Sequence, residues 1–179
     1  MNNRSKDLRT IIYIKNKRIK MIRIKNGCAR TILCAPVIIG KCGLTYNKTE
    51  GDMKTPAGVF LPRLVISRHK IKTKLPIVKI NKHHYFVDDV NSPFYNKLVD
   101  KRTQDNFSSA EHLIDYKKEY EYAIDIGYNK YGKKGKGSAV FLHCIGDKNY
   151  TAGCIAANRG TVKYIISKID KNSLFVISK

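Results

Sequence analysis

The sequence predicts a mainly β protein of the sandwich or barrel type, with a few short helices and one longer helix near the C-terminus. Between residues 10 and 39, isoleucines alternate with charged or polar residues, which is the two-residue period of half-buried strands. Within residues 162–169, apolar residues recur instead at helical spacing. A length of 179 residues is enough for one hydrophobic core, so we predict a single domain over residues 1–179.

Three strands are predicted at the start of the chain. The first surrounds Ile12, and the second, residues 18–24, runs into Asn26-Gly27, a strong hairpin-turn signal. The third covers residues 31–39 and contains Pro36. Because proline has no backbone N–H to donate, we expect this segment to be an edge strand or to be bulged at the proline.

The other predicted strands are short apolar runs bounded by turn residues, at residues 59–66, 83–87, 139–142 and 174–177. Two helices are predicted from capping residues. Ser108 or Ser109, placed before Glu111, is expected to cap a short helix. Thr161 is expected to be the N-cap of the C-terminal helix, whose apolar face would lie on the sheet.

The chain is strongly basic, which draws it toward polyanions. Lysine and arginine number 35 against 14 aspartate and glutamate residues, and the formal net charge is +21. The lysines are dispersed, and isoleucine, lysine and asparagine are abundant throughout, as AT-rich codons would produce. No aromatic RNP-type motif or Gly-x-x-Gly clamp is present. We therefore expect no specific nucleic-acid partner.

Neither a transmembrane segment nor an export signal is expected from the hydropathy. No window approaches the ~18 consecutive apolar residues of a membrane span. The basic N-terminus has one apolar patch, residues 11–14. This patch is shorter than the roughly 7–15 apolar residues at the centre of a signal peptide, so no signal peptide is visible.

Five cysteines, at positions 28, 34, 42, 144 and 154, lack the spacing of a zinc site. Their odd number leaves at least one thiol without an intramolecular partner. The first three lie in or beside apolar strand segments, where we expect buried, protonated and inert thiols.

Two further segments are interpreted as structural from their residues alone. Residues 48–60 contain Gly51, Pro56 and Gly58 and read as a tight irregular loop. Glu50 and Asp52 in that loop lack nearby histidine or cysteine, so we expect no metal and no other cofactor. The tyrosines at 116, 120 and 122 are expected to cover a surface rather than to line a groove.

The strongest candidate for chemistry is the pair His143 and Cys154. His143 ends the apolar run 139–142, and a polar loop returns the chain to Cys154 eleven residues later. An imidazole beside a thiol is the arrangement of nucleophilic cysteine catalysis. The alternative is a core histidine and a buried structural cysteine, since free cysteine is among the most buried residue types.

Several motifs occur together in a characteristic order. Glu-Gly-Asp-x-x-Thr-Pro-x-Gly-x-Phe begins at Glu50, Phe-Leu-His ends at His143, and Thr-Ala-Gly-Cys-Ile-Ala begins at Thr151. In this order the chain resembles the L,D-transpeptidase catalytic domain (YkuD-type), in the branch with a Thr-Ala-Gly-Cys signature. The resemblance spans roughly residues 20–178. It implies the mainly β fold of that family, with a helix after the active-site cysteine.

The resemblance implies a cysteine acyltransferase that acts on peptidoglycan stem peptides in the cell envelope or periplasm. The family forms an acyl-enzyme at the diamino acid before a terminal D-alanine, releases that D-alanine and passes the acyl group to an amine. By the same resemblance, Cys154 is the nucleophile and His143 its base. Gly153 allows close approach of the substrate, and the backbone N–H groups at Gly153 and Cys154 form an oxyanion hole.

This sequence departs from the family pattern near the cysteine. Thr151 replaces the usual serine, Ala152 stands where the commoner branch has histidine, and Ala156 replaces the usual arginine or asparagine. These changes affect how substrate would be gripped rather than how the thiol would react. Cys154 is expected to have a lowered pKa, while Cys144 is expected to face away from His143 because neighbouring strand residues point to opposite faces.

Two rival functions remain open at this stage. An L,D-carboxypeptidase would use the same cysteine and histidine, with water in place of the acceptor amine. A non-catalytic basic module would bind cell-wall polymer or nucleic acid without turnover. We expect a monomer.

Overall fold

The structure, a computed structural model, describes residues 9–15, 17–25 and 28–178. The predicted Asn26-Gly27 turn lies outside the described residues. The described strands, in chain order, are β1 (Arg9–Lys15), β2 (Arg18–Lys25), β3 (Cys28–Pro36), β4 (Leu44–Thr45), β5 (Thr55–Pro56), β6 (Gly58–Phe60), β7 (Leu64–Ser67), β8 (Ile77–Lys79), β9 (His84–Val87), β10 (Leu98–Asp100), β11 (Ala110–His112), β12 (Tyr122–Asp125), β13 (Phe141–Cys144), β14 (Ile155–Ala157) and β15 (Leu174–Ile177). The helices are a 3-10 turn, Glu119–Glu121, and α1, Arg159–Lys168. The predicted mainly β fold with one C-terminal helix is therefore confirmed.

Two five-stranded sheets form most of the molecule. The first has the order β3-β2-β1-β15-β6, and the second has the order β14-β13-β12-β7-β8. A three-stranded sheet, β10-β9-β11, and the short pair β4-β5 complete the strands. Each described sheet is open, so the architecture is layered and is not a closed barrel. As predicted, β3 is an edge strand, and Pro36 is its last residue.

The second sheet lies between two hydrophobic clusters. Ile124 and Leu142 on one face join a cluster with the buried apolar residues of α1 and with three isoleucines of β1 and β2, namely Ile12, Ile14 and Ile19. Ala123 and Phe141 on the other face join Phe86 of the small sheet. Because side chains alternate between the faces of a strand, each central strand contributes to both clusters. The described residues contain no helix with the length and apolar character needed to cross a membrane.

The predicted strand at residues 59–66 is in fact two strands in two sheets. Strand β6 pairs with β15 in the first sheet, whereas β7 pairs with β12 in the second. Leu61, Pro62 and Arg63 connect them without strand pairing. Pro62 cannot donate a ladder hydrogen bond, which explains why the apolar run is interrupted there.

The predicted short helix after Ser108 or Ser109 is wrong. Strand β11 occupies this position and pairs with β9. The two serines bind acidic side chains instead: Ser108 Oγ donates to Asp89 at 2.7 Å, and Ser109 Oγ donates to Asp88 at 2.5 Å. Pairing with the neighbouring strand therefore prevails over a local capping signal.

The N-cap of helix α1 is Asn158 rather than Thr161, so the helix begins three residues earlier than this predicted cap implies. The Asn158 side chain accepts a hydrogen bond from the backbone N–H of Thr161 at 2.8 Å. Thr161 itself is buried beneath the first turn. An asparagine side chain at this position satisfies an N–H group that the helix leaves unpaired.

Replacing the cap should destabilise the fold measurably. We expect Asn158→Ala to lower the free energy of unfolding by about 1 kcal/mol. Asn158→Asp is the matched control and should retain the stability, because its carboxylate accepts the same bond. Urea unfolding of the three proteins measures the difference. If Asn158→Ala and the unmodified protein unfold at the same urea concentration, the capping role is wrong.

Candidate active site

Two clefts meet at Cys154, between the second sheet and the loops beside it. One, the Lys48 cleft, has a volume of about 140 Å³ and is lined by Lys48, Glu50, Asp88, Glu111, Ser138, Gly153 and Cys154, among others. The other, the His143 cleft, has a volume of about 360 Å³ and is lined by Glu111, Tyr116, Tyr120, His143, Thr151 and Cys154, among others. The structure thus brings the predicted cysteine and histidine to the wall of one cleft.

The thiol of Cys154 is held by the backbone just before and at the start of β13. Its Sγ donates a hydrogen bond to the carbonyl oxygen of Ala139 at 3.0 Å and accepts one from the N–H of Phe141 at 3.3 Å. The hydrogen bonds of the described residues include none between Cys154 and His143. In this state the sulfur therefore contacts backbone rather than imidazole.

The environment of Cys154 disfavours the thiolate. Burial, together with the negative charge of Glu111, raises the pKa of this thiol to about 12. The Phe141 hydrogen bond and the charge of Lys48 act in the opposite direction but are outweighed. The expectation of a lowered thiol pKa is therefore wrong for the substrate-free structure, in which Cys154 is a neutral thiol at neutral pH.

His143 is a buried, neutral imidazole whose protonation is set by a neighbouring carbonyl group. Its Nδ1 lies 2.7 Å from the backbone oxygen of Cys144. A carbonyl oxygen only accepts, so Nδ1 carries the proton and Nε2 keeps a free lone pair. Burial lowers the pKa of His143 below its usual value, although the Cys144 hydrogen bond opposes the change. The imidazole can therefore accept a proton at neutral pH.

The turn before Cys154 is held together by Thr151. The Thr151 hydroxyl donates to the carbonyl oxygen of Cys154 at 2.6 Å and accepts from the N–H of Gly153 at 3.2 Å. Thr55 Oγ1 donates to the same Cys154 carbonyl at 3.1 Å. The Gly153 N–H, expected to face an oxyanion, is thus occupied by Thr151, and the threonine acts on the turn rather than on a substrate.

Gly153 is required at its position for two reasons. Its φ is +152°, and a Cβ atom there would lie 3.0 Å from the carbonyl oxygen of Lys54 and 3.4 Å from Lys48 Nζ. A side chain would therefore clash with the loop that forms the floor of the Lys48 cleft. The structure thus gives the glycine a packing role against the loop. Its expected role in the approach of a substrate stays a prediction.

A left-handed residue sets the direction of the chain into β13. Ala139 has a φ of +51°, which is unfavourable for a residue with a Cβ atom. The buried side chain of Asn96 accepts from the Ala139 N–H at 3.0 Å and donates to the carbonyl oxygens of Tyr128 and Asn129 at 3.2 and 2.7 Å. Asn96 thereby fixes the backbone that holds the Cys154 sulfur.

The first part of the loop of residues 48–60, which was interpreted above as structural, forms a wall of the Lys48 cleft. The ammonium group of Lys48 is almost fully buried and donates to Asp52 at 2.6 Å and to the Thr49 carbonyl at 3.2 Å. Burial alone would raise the pKa of Asp52, but the hydrogen bonds from Lys48 and the loop backbone outweigh it and lower the pKa. The loop thus places one cation and one anion close to Cys154.

Glu111 and Tyr120 form a second buried polar contact at the site. The Tyr120 hydroxyl donates a short hydrogen bond to Glu111 Oε2, and the Tyr120 ring lies edge-on to His143 with 6.0 Å between ring centroids. Burial raises the pKa of Glu111 to about 7, because it outweighs the hydrogen bond from Tyr120. The expectation that Tyr120 covers a surface is wrong, since both it and Tyr122 are buried.

The side chain of Cys28 lies outside the described part of the chain, so the expectation of a buried thiol there stays a prediction. The three other cysteines apart from Cys154 divide into two groups. Cys144 is buried in the cluster on the far face of the sheet, and burial raises its pKa to about 11. This agrees with the expectation that it faces away from His143. Cys34 and Cys42 are exposed, so the expectation of buried thiols is wrong for both. Cys34 pairs with exposed Lys20 on the outer face of β3, and Cys42 lies in a turn.

Four residues that lie at or beside the site were not assigned to it from the sequence: Lys48, Asn96, Glu111 and Tyr120. Lys48 comes two residues before the Glu-Gly-Asp motif, and this proximity was the available signal for it. Among the described residues, no group of three or more His, Cys, Asp or Glu side chains has the arrangement of a metal site.

Comparison with known families identifies the class of protein to which this layered β fold with a cysteine–histidine cleft belongs. The model of the L,D-transpeptidase catalytic domain family, YkuD, matches residues 9–177. The chain therefore belongs to the L,D-transpeptidase catalytic domain family, as its motifs predicted. No curated protein sequence matches the chain.

Solved structures support the fold. Bd1075 from Bdellovibrio bacteriovorus is similar at a TM-score of 0.52 with 14% identity, over 96% of this chain and 47% of that one. The helical cell shape determining protein Pgp2 from Campylobacter jejuni is similar at a TM-score of 0.52 with 15% identity, over 96% of this chain and 47% of that one. The chain thus spans about half the length of these proteins, and identities this low support the fold alone.

Proposed function

We propose that this protein is an L,D-transpeptidase in which Cys154 forms an acyl-enzyme with a peptidoglycan stem peptide. The observation that carries the proposal is the shared cleft of Cys154 and neutral His143, in a chain of this family. The described chain is proposed to act as one catalytic domain. Its site of action is the cell envelope, as the family implies.

Acylation begins from a neutral thiol in this proposal. The substrate carbonyl enters beside Cys154, and rotation about the Cα–Cβ bond turns the S–H group from Ala139 toward Nε2 of His143. His143 takes the proton as the sulfur attacks the carbonyl carbon, which is general-base activation of a nucleophile. Because burial raises the pKa of the thiol, proton transfer accompanies the attack and does not precede it.

Collapse of the tetrahedral intermediate releases the terminal D-alanine. His143 returns its proton to the leaving amine, and the acyl group remains on the sulfur as a thioester. The N–H groups near Cys154 stabilise the developing oxyanion. Since Gly153 donates to Thr151 in the free protein, its use in the oxyanion hole requires that this bond lengthen or be shared. An amine then attacks the thioester and completes the cross-link.

The experiment that tests this function uses purified tetrapeptide muropeptides and mass analysis of the products. A cross-linked product with loss of one D-alanine supports a transpeptidase. Loss of D-alanine without cross-linking indicates the L,D-carboxypeptidase, in which water is the acceptor. Binding without either product would contradict an enzyme and favour the non-catalytic module.

The nucleophile can be identified by its covalent adduct. Because carbapenems acylate this family, we expect one carbapenem adduct per chain, and peptide mass mapping should locate it at Cys154. Cys154→Ala should abolish the adduct and the transpeptidation. Cys144→Ala, Cys34→Ser and Cys42→Ser are the controls and should retain both. An adduct on another cysteine, or transpeptidation by Cys154→Ala, would contradict the assignment.

His143 should control both the rate and the pH dependence of acylation. We expect His143→Ala to slow acylation by roughly two to four orders of magnitude, the usual contribution of a positioned base. In the unmodified protein the rate should fall only below pH 6.5, because the lowered pKa of His143 keeps the imidazole neutral down to that value. Stopped-flow acylation between pH 5 and pH 8 at intervals of about half a unit measures this. A rate that falls already above pH 7, or His143→Ala acylating normally, would remove His143 from the mechanism.

A further inference from the structure

Glu111 is placed where the two clefts meet. It lies in strand β11, opposite Phe86 of β9, and it lines both the Lys48 cleft and the His143 cleft together with Cys154. Its carboxylate accepts a hydrogen bond from the Tyr120 hydroxyl, and the Tyr120 ring packs edge-on against His143. The acylation step proposed above uses Cys154 and His143 and gives this carboxylate no role.

The surroundings of Glu111 allow its side chain to gain and lose a proton near neutral pH. Burial and neighbouring carboxylates raise its pKa to about 7, while the Tyr120 hydrogen bond lowers it. A group with a pKa near the working pH is suited to accept a proton and release it again. The titratable and charged groups that face it, across both clefts, are Lys48, Glu50, Asp88, Tyr116, Glu119, Tyr120, His143 and Cys154.

The second half-reaction requires such a group. An alkyl amine has a pKa near that of lysine, about 10.4, so the acceptor arrives at neutral pH as an ammonium ion without a lone pair. It must lose a proton before it can attack a thioester. Water already has lone pairs and does not need this first step, so a base for the ammonium would favour transfer to amines over hydrolysis.

We propose that Glu111 is a further catalytic residue, the base that deprotonates the ammonium group of the acceptor beside the acylated Cys154. This assignment rests on the proposed transpeptidase function. It concerns only the second half-reaction and predicts the chemical class of the preferred acceptor, an amine that is protonated at neutral pH.

The proton and electron balance of the step is complete. The Glu111 carboxylate takes one proton from R–NH₃⁺, and the freed lone pair attacks the thioester carbon. The C–N bond forms, the C–S bond breaks, and the bonding electron pair returns to the sulfur. A second proton passes from the amine nitrogen through His143 to the sulfur and restores the thiol. Glu111 then releases its proton to water.

The test compares aminolysis and hydrolysis of the same acyl-enzyme. The donor is a tetrapeptide whose own side-chain amine is blocked, and the acceptor is a second tetrapeptide with a free side-chain amine. Glu111→Gln removes the base but leaves a carbonyl oxygen that accepts the Tyr120 bond. We expect aminolysis to fall by roughly 100-fold or more, with acylation and hydrolysis within about threefold of the unmodified protein.

A small acceptor distinguishes loss of the base from a change in the shape of the acceptor site. Methoxyamine is already neutral at pH 7, so Glu111→Gln should transfer the acyl group to it at nearly the unmodified rate. Asp105→Asn is the control for charge, because it removes an exposed carboxylate that lines neither cleft. It should change aminolysis and hydrolysis by similar small factors.

A second variant covers the case in which Glu111→Gln fails to fold. Glu111→Ala leaves space for a small carboxylate, and added formate should restore aminolysis by the tetrapeptide amine. The assignment is overturned if aminolysis by both variants is unchanged, if aminolysis and hydrolysis fall equally, or if neither methoxyamine nor formate rescues transfer. If the unmodified protein forms no acyl-enzyme, the proposed function fails first and this assignment with it.

Discussion

The hydrogen bond between the Asn96 side chain and the Ala139 N–H is the interaction on which the site depends most. It holds Ala139 in a left-handed conformation, which turns the chain immediately before β13. That turn directs the carbonyl group of Ala139 and the N–H of Phe141 toward the same sulfur atom. The conformation costs roughly 1–2 kcal/mol in an isolated chain. Here the three hydrogen bonds of the buried Asn96 side chain offset that cost, so a residue distant in sequence from the motifs helps to set where Cys154 lies.

Holding the sulfur in a buried backbone pocket has a chemical consequence. A thiol that donates to a carbonyl group and lies beside a carboxylate is stable as a thiol and poor as a thiolate. The site therefore differs from cysteine sites in which an imidazolium and a thiolate already form an ion pair. In the proposed mechanism its reactivity comes from a base that works during the attack, and His143 has the lowered pKa and the free Nε2 lone pair that this role needs. Burial also raises the pKa of Glu111 to about 7, so the protonation of both proposed bases depends on their low-polarity surroundings.

Much of the fold, and the central pair of the site, could be predicted from the sequence because they depend on local periodicity and on motif order. Alternation along β13 placed Cys144 and His143 on opposite faces, and helical spacing located the start of α1 to within three residues. The failures have a common cause, which is competition between local and distant partners. Pro62 divides an apolar run between two sheets, and Ser109 binds Asp88 rather than a helix terminus. The contacts of Ala139 with Asn96 and of Glu111 with Tyr120 join separate segments, and no local sequence pattern predicts them.

If Cys154 is a neutral thiol in the free protein and is activated only during the attack, its titration should show this. The titration uses a variant that keeps Cys154 alone, with the other four cysteines replaced by alanine or serine. Thiolate absorbance, or the rate of alkylation by iodoacetamide, is followed as a function of pH. We expect a pKa of Cys154 well above the roughly 8.5 of an ordinary cysteine, and no decrease when His143 is replaced by alanine. A pKa of Cys154 below 7 that rises on loss of His143 would show a preformed thiolate–imidazolium ion pair and would exclude activation during the attack.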